Sequence, residues 1–497
     1  MRRTAILSAI FILLPLCVSA QGDVCAYIQQ LAGSAPLNDA VWGICARTIG
    51  GDVIAEYNED INMVPASTTK VLTCGTALNA LGTDYRYRTR IGYSGTVEGG
   101  RLKGDLYIIG GCDPTTGSPD RSAILLQATF TRWKSILSQA GITAIDGLVI
   151  GDGRALQERE IPGWDSEDLG FYYGAIPEGL NFYENVIDYR VTPGATVGDS
   201  ITISQIFPRT PWLAMTNAGV TGPAGTGDAL YYYNSGLAPV AEMSGSYGID
   251  RASRTESCSN RFGAYTCAHH FREFLQSSGI MSEACADIDP QGMIRTDLNT
   301  KGIYKAAAAD SITVIGESHS PTIDKIVKEV LHRSDNFYAE TLLKTIGLEY
   351  TGSACYDSCR VAERRLMKGM GVNADKVRLQ DGSGLSRRNF ISPEFFVDFL
   401  TAMAGTEVYG TWLTLFPIPG EGTLYDRMSA APYELKSRIR MKSGSMGGVR
   451  AYCGYILPQD GKTENTVVFS VITNNALENE SGSVKRVLDR LIARLAQ

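Results

Sequence analysis

The stretch Pro65-Ala66-Ser67-Thr68-Thr69-Lys70-Val71-Leu72 decides how the rest of the chain is read. Proline suits the opening of a helix and Gly82 stands where a C-terminal cap belongs, so the spacing predicts a helix between them. At about 100° per residue, Ser67, Lys70, Val71, Cys74, Ala77, Leu78 and Leu81 fall within one arc of about 120°. A serine and a lysine one turn apart therefore share the face turned toward the core. Burial makes a charged lysine costly and lowers its pKa, so a lysine in this place can be neutral near pH 7 and act as base for the serine. The helix N-terminus adds positive potential and unpaired N–H groups beside Ser67, suited to a developing oxyanion.

Ser-x-x-Lys alone is commonplace, usually a cap serine and a solvated lysine. Two further triplets give it meaning. Ser334-Asp335-Asn336 lies between a helix ending at His332-Arg333 and a helical stretch from Phe337 to Ile346. In a turn, residues two apart can present a hydroxyl for proton relay and an amide for a substrate carbonyl to one cleft. Lys442-Ser443-Gly444-Ser445 lies on a predicted strand. There Lys442 and the Ser443 hydroxyl can grip a carboxylate, Gly444 leaves room for close approach, and the Ser445 N–H can be the second oxyanion donor.

Outward from these triplets, both ends of the chain read as one unit. Val41 to Thr48 and Val53 to Tyr57 flank Gly50-Gly51 as a hairpin. Ser320 as N-cap and Pro321 at the first position predict a helix whose Ile323, Ile326, Val327, Val330 and Leu331 recur at helical spacing. Val449, Ala451, Cys453 and Tyr455 alternate as a strand, Thr466 to Thr473 is another, and Val484, Val487, Leu488, Leu491, Ile492 and Leu495 mark a closing helix. The middle, roughly residues 83–300, is rich in Gly, Asp, Thr and Tyr with short strand signals at Leu106 to Ile109, Gly147 to Ile150 and Ile201 to Ile206. The fold class is α+β, an antiparallel sheet with helices interrupted by a β-rich insertion. A chain of 497 residues is long enough for two or three domains.

The first twenty residues read as a cleavable secretory leader: a basic Met1-Arg2-Arg3, an apolar run from Ala5 to Leu16, and the small residues of Val18-Ser19-Ala20 before Gln21. The run is shorter than a membrane span requires, and no later segment is long and apolar enough, so no transmembrane segment is expected. Losing Arg2 and Arg3 takes the formal charge from −7 to −9. Without a basic stripe, that balance excludes the phosphate-neutralising surface of a nucleic-acid partner. After removal of Cys17, ten of the eleven cysteines remain. Close pairs, Cys355 with Cys359 and Cys258 with Cys267, are candidate disulfides in an oxidising compartment. No Cys-x-x-Cys and no His-Glu-x-x-His occurs among the four histidines, so neither a metal nor a cofactor is expected.

The three triplets, in this order and in an exported chain, are the signature of penicillin-interacting enzymes. The chain resembles the class C low-molecular-mass penicillin-binding proteins, D-alanyl-D-alanine carboxypeptidases/endopeptidases with a serine β-lactamase/transpeptidase-like domain. Gly104-Asp105-Leu106 leading to Gly110-Gly111-Cys112-Asp113-Pro114-Thr115 resembles a stretch of that family. So do Tyr173-Gly174-Ala175 with Asn181 to Asn185, Asp381-Gly382-Ser383-Gly384-Leu385-Ser386, and Gly422-Thr423-Leu424. The resemblance implies Ser67 as acylated nucleophile, Lys70 as base, Ser334 and Asn336 as the second catalytic element, and Lys442 and Ser443 as holders of a terminal carboxylate. It implies hydrolysis of peptidoglycan stem peptides or cross-links in the periplasm, acylation by β-lactams, and at most peripheral association with the envelope. It also implies two extra domains between the first two motifs. The expected division is a leader at 1–20, a peptidase domain from 21–82 and 301–497, a second domain from 83–185 and 256–300, and a third from 186–255. The family usually has Lys-Thr-Gly where this chain has Lys442-Ser443-Gly444, which keeps the hydroxyl and loses a methyl.

Two rival functions share these features. A serine β-lactamase would need a glutamate to activate the deacylating water. Glu178-Gly179-Leu180-Asn181 superficially resembles such a loop, but it precedes the Ser334 triplet and is one residue short. A peptidoglycan-binding protein without catalysis would keep the fold alone. Asp113 and Asp152 beside glycines read as turn chemistry rather than a metal or sugar site, and Tyr231-Tyr232-Tyr233 as packing.

Overall fold

The computed structural model describes residues 19–156, 160–281, 312–477 and 481–497. The leader, apart from Ser19 and Ala20, and the division expected at 300/301 lie outside them. Helix α1 (Ser19–Ala32) precedes the hairpin β1 (Val41–Thr48) and β2 (Val53–Tyr57), and helix α2 (Thr69–Leu81) follows. The middle of the chain begins with β3 (Arg88–Tyr93), β4 (Thr96–Glu98), β5 (Arg101–Lys103), β6 (Leu106–Ile109), α3 (Leu126–Gln139), β7 (Ala144–Ile145) and β8 (Val149–Asp152). It continues with β9 (Val186–Thr192), β10 (Thr202–Phe207), β11 (Ala214–Gly222), β12 (Asp228–Asn234), β13 (Val240–Gly248), β14 (Arg254–Ser259) and α4 (Gly263–Ser277). After β15 (Thr313–His319) come the helices α5 (Ile323–Arg333), α6 (Asn336–Thr351), α7 (Tyr356–Gly369) and α8 (Pro393–Ala404). The chain closes with β16 (Ile439–Met446), β17 (Val449–Ile456), β18 (Val467–Asn474) and helix α9 (Ser481–Leu495).

Both chain ends build one antiparallel sheet in the order β16-β17-β18-β1-β2, with Val41 opposite Asn474 and Thr48 opposite Val467. Alternation sends successive side chains to opposite faces. Trp42, Ile44 and Ala46 of β1 join Phe469, Val471 and the closing helix α9 on one face, together with Val24, Ile28 and Leu31 of α1. Cys45, Val468, Ile472, Ala451 and Cys453 face the other way, against α2, α5, α6 and α8. Sandwiched there, α2 has Thr69 through Leu78 all buried.

The middle of the chain forms sheets of its own. The order β15-β3-β6-β8 packs against α3 and α4 around Trp133, Phe130 and Phe271, with β4-β5-β7 beside it. The sheets β10-β9-β14 and β11-β13-β12 enclose a separate core at Ile187, Val191, Tyr232 and Met243. Four expectations need correction. Strand β15 was expected in the peptidase segment beginning at 301, yet it hydrogen-bonds to β3 and completes a sheet of the middle region. Ser320 does not cap α5, which starts at Ile323 with Thr322 as cap; its hydroxyl accepts from Tyr87 N (3.0 Å) and donates to Pro321 O (2.6 Å), tying a loop instead. Of the three tyrosines only Tyr232 is core, while Tyr231 and Tyr233 are exposed with their rings stacked. Cys258 and Cys267 are separate buried thiols with no bond between them.

Candidate active site

The chain enters α2 through a short 3₁₀ turn, Ala66–Thr68. Ala66, immediately before Ser67, is fully buried at φ +48°, a left-handed conformation that costs a non-glycine residue on the order of 1 kcal/mol. Gly384 allows it, since a Cβ there would lie 2.0 Å from Ala66 O. The turn leaves Ser67 half-buried at the mouth of the helix and Lys70 fully buried beneath it. Lys70 Nζ lies 2.9 Å from Ser67 Oγ, 2.6 Å from Asn336 Oδ1 and 2.7 Å from Ser383 O. The Asn336 amide donates through Nδ2 to Tyr173 O (2.9 Å), which fixes its oxygen toward Lys70. Burial lowers the Lys70 pKa to about 8, with Asp381, Glu340 and Asp335 pulling the other way.

The other two motifs converge on the same point. Ser334 caps α5 in the left-handed conformation, and Asp335 caps α6 by accepting from Tyr338 N (2.8 Å). Lys442 Nζ donates to Ser334 Oγ (2.9 Å) and Ser443 O (2.6 Å). Burial, and then the nearby charge of Lys70, hold Lys442 well below the usual lysine range. Gly444 brings β16 against the start of α2: a Cβ there would lie 2.7 Å from Pro65 O and 3.1 Å from Ser67 N. Ser445 follows it, exposed to the cleft. Ser443 Oγ and Thr423 Oγ1 are 2.9 Å apart, so Thr423 brings a second hydroxyl to the place where the family motif has threonine. All eight predicted residues therefore border one cleft or its floor.

Sequence reasoning missed the residues that hold this cluster from below. Asp381 accepts from Gly384 N (2.9 Å), Ser386 N (2.7 Å), Asn389 Nδ2 (2.8 Å) and Trp164 Nε1 (2.7 Å). Glu340 accepts from Ser383 N (2.7 Å), Gly382 N (3.0 Å) and Tyr356 OH (2.9 Å), and burial beside Asp381 raises its pKa to about 7. These two carboxylates shape the loop whose Ser383 carbonyl meets Lys70. The only sequence signal for Glu340 was an acid within an apolar helix. Glu178 serves elsewhere, accepting from Ala264 N (3.0 Å) and Gly263 N (3.3 Å) at the start of α4. Asp113 accepts from Thr115 N (2.8 Å), and Asp152 pairs with Arg154 (2.7 Å), each within its own turn.

The cleft above Ser67 encloses about 1070 Å³. Ser334, Asn336, Thr423 and Ser445 line its floor, and Asp165, Asp168, Tyr173 and Glu184 of the middle region line its opposite wall. Among the described residues no three His, Cys, Asp or Glu side chains are grouped to hold a metal ion. No helix among them is long and apolar enough to cross a membrane.

Known proteins are similar to this one over nearly the whole chain. A D-alanyl-D-alanine carboxypeptidase of Actinomadura sp. (strain R39) is 26% identical over 495 residues, 96% of this chain and 84% of that protein. The crystal structure of penicillin binding protein 4 from Haemophilus influenzae superposes with a TM-score of 0.77 at 20% identity, covering 95% of this chain and 99% of that one. A complex of that protein with a β-lactam gives a TM-score of 0.70 at 18% identity, over the same shares of the two chains. The sequence pattern of one family runs through residues 24–495, from α1 to the last turn of α9, and the chain accordingly belongs to the D-Ala-D-Ala carboxypeptidase 3 (S13) family.

Proposed function

We propose that this protein hydrolyses D-alanyl-D-alanine stem peptides or cross-links of peptidoglycan through an acyl-enzyme on Ser67, and that β-lactams acylate the same serine. The observation that carries the reading is the environment of Lys70 Nζ. Of its three neighbours, Asn336 Oδ1 and Ser383 O can only accept hydrogen bonds. A neutral amine spends its two N–H groups on them, and its lone pair is left facing the Ser67 hydroxyl.

Ser67 Oγ attacks the carbonyl carbon of the penultimate D-alanine and its proton passes to Lys70. The developing oxyanion sits against the N–H groups of Ser67 and Ser445, at the helix start where the dipole favours negative charge. As the C–N bond breaks, the departing amine takes the proton that Lys70 received, relayed through the Ser334 hydroxyl that Lys442 holds in place, and Lys70 is neutral again. The Ser443 and Thr423 hydroxyls hold the terminal carboxylate. Water then attacks the acyl carbonyl and gives its proton to neutral Lys70, which passes it to Ser67 Oγ as the ester bond breaks, so both residues end as they began. The position of Glu178 at the start of α4 removes the one residue that favoured a β-lactamase.

The same reading divides the chain into a peptidase unit made from both ends and two smaller units between them, with β15 assigned to the insertion. It places the protein in the periplasm after removal of residues 1–20. The test is incubation with a fluorescent penicillin beside Ser67→Ala, followed by intact mass. A stable adduct on the parent alone supports the reading. Rapid loss of the adduct with consumption of the drug would replace it by a β-lactamase, and no adduct on a folded parent would replace it by a binding protein.

A further inference from the structure

One of the segments by which the middle region reaches the cleft is a strained turn. Tyr183, Glu184 and Asn185 are consecutive non-glycine residues at φ +54°, +55° and +49°. Each left-handed residue costs on the order of 1 kcal/mol or more, so a run of three persists only where its surroundings over-determine it. Asn185 supplies much of that constraint: Nδ2 donates to Ile176 O (2.9 Å), Oδ1 accepts from Phe182 N (3.0 Å), and the carbonyl accepts from Asn260 N (2.7 Å). Gly263 leaves the space for it, since a Cβ there would lie 2.1 Å from Asn185 Oδ1. Tyr183 is fixed as well, its N–H on Thr116 O (3.0 Å) and its hydroxyl on Asp188 (2.7 Å).

What this turn presents is the Glu184 carboxylate, 8% exposed at the wall of the cleft. Oε1 accepts from Ser118 Oγ (2.6 Å) and Arg333 Nη1 (3.3 Å), and Oε2 from Arg333 Nη2 (3.2 Å). Ser118 Oγ accepts in turn from Tyr338 OH (3.0 Å), Tyr338 N donates to Asp335 Oδ1 (2.8 Å), and Asp335 Oδ2 stands 3.5 Å from Arg333 Nη2. The connections form a closed ring through Glu184, Ser118, Tyr338, Asp335 and Arg333. Arg333 and Asp335 are the residues on either side of Ser334, itself left-handed at φ +60°.

We infer that Glu184 is a positioning residue: by gripping Arg333 it holds Ser334 and Asn336 where they meet Lys442 and Lys70. The inference rests on the proposed Ser67 chemistry. Without this ring, Ser334 is a strained residue at the junction of two helices, free to relax away from Lys442. Burial, with Asp335 close by, raises the Glu184 pKa to about 7, while Arg333 opposes the rise. Other charged groups near the ring include Asp120, 3.7 Å from Arg333 Nη1, Glu329 and Lys328 on α5, and Lys70 on α2 opposite Asp335. Ionised Glu184 grips Arg333 fully, so the grip strengthens as pH rises through the Glu184 titration and slackens below it.

The test is the rate of acylation by a fluorescent penicillin, followed from about pH 5.5 to about pH 9. Glu184→Gln keeps the size and removes the charge. It is expected to acylate about tenfold more slowly at the upper end, with an acid limb one proton less steep than the parent's. Arg333→Gln approaches the same contact from the other side, and the double variant is expected to lose no more than either single one. Parent rate and parent pH profile in Glu184→Gln would overturn the inference while leaving the Ser67 reading intact, and additive losses in the double variant would overturn it as well. A folded parent that is never acylated would overturn the Ser67 reading, and the inference with it.

Discussion

Lys70 can take a proton from Ser67 only when neutral, and burial brings its pKa to about 8. Acylation is therefore expected to rise with pH and to reach half its limit close to that value, measured as the pH profile of the second-order rate with a β-lactam. Thr423 offers a different check. If its hydroxyl, 2.9 Å from that of Ser443, helps to hold the terminal carboxylate, Thr423→Val should raise KM for a D-Ala-D-Ala peptide about tenfold with little change in kcat. Glu363 concerns stability instead. It is buried with Oε2 lacking a hydrogen-bond partner among the described residues, and burial raises its pKa from 4.5 to about 8. The native state thus keeps a proton that the unfolded chain has released, so this residue subtracts stability as pH rises from about 4.5 to about 8. Glu363→Gln should gain about 1–3 kcal/mol in urea unfolding at the top of that window and nothing at the bottom. None of this was readable in advance at Glu340, Glu363 or Asp381. A lone carboxylate in a sequence looks like a solvated charge until distant residues close over it, whereas Ser67 and Lys70 were legible because their spacing puts them one turn apart and the Ser334 and Lys442 triplets give that spacing meaning.

Elements were legible where a local period decides them. The stripe of α9 comes from burial on one side of a helix, and the apolar residues of β17 from a strand buried on both faces, so the chain carries each signal in consecutive residues. The start of α5 was not. A serine before proline satisfies the pattern of a cap, yet Ser320 is occupied by Tyr87 from another part of the chain, and Thr322 takes the role. Gly444 is the place where element packing and chemistry meet. Since a Cβ would lie 2.7 Å from Pro65 O and 3.0 Å from Thr68 N, Gly444→Ala must push β16 away from the start of α2. The expected outcome is a folded protein, checked by circular dichroism, whose acylation rate is about a hundredfold lower because the oxyanion donors have parted.

At the scale of the molecule, the middle region reads in the sequence as an insertion whose short strands carry little pattern. In three dimensions it supports each catalytic neighbourhood: Trp164 on Asp381, Tyr173 O on Asn336 and Glu184 on Arg333. Trp164→Phe keeps an aromatic ring but removes the indole N–H and leaves a small cavity, so it is expected to lower acylation about tenfold through the loop that carries Ser383 and to lower the melting temperature by a few degrees. These long-range contacts, like the pairing of β15 with β3, join residues 149 to 231 positions apart and leave no trace in any local window. The pairing of β1 with β18 has a consequence for how the protein is made. Val41 meets Asn474, 433 positions later, so the central sheet has an open edge until almost the entire polypeptide has emerged. Such a topology folds slowly, late and as one event, and a chain arrested before β18 would present bare strand edges to its neighbours. Catalytic competence thus waits for nearly the whole chain, because a product that stops before β18 lacks the strand that joins both halves of the central sheet.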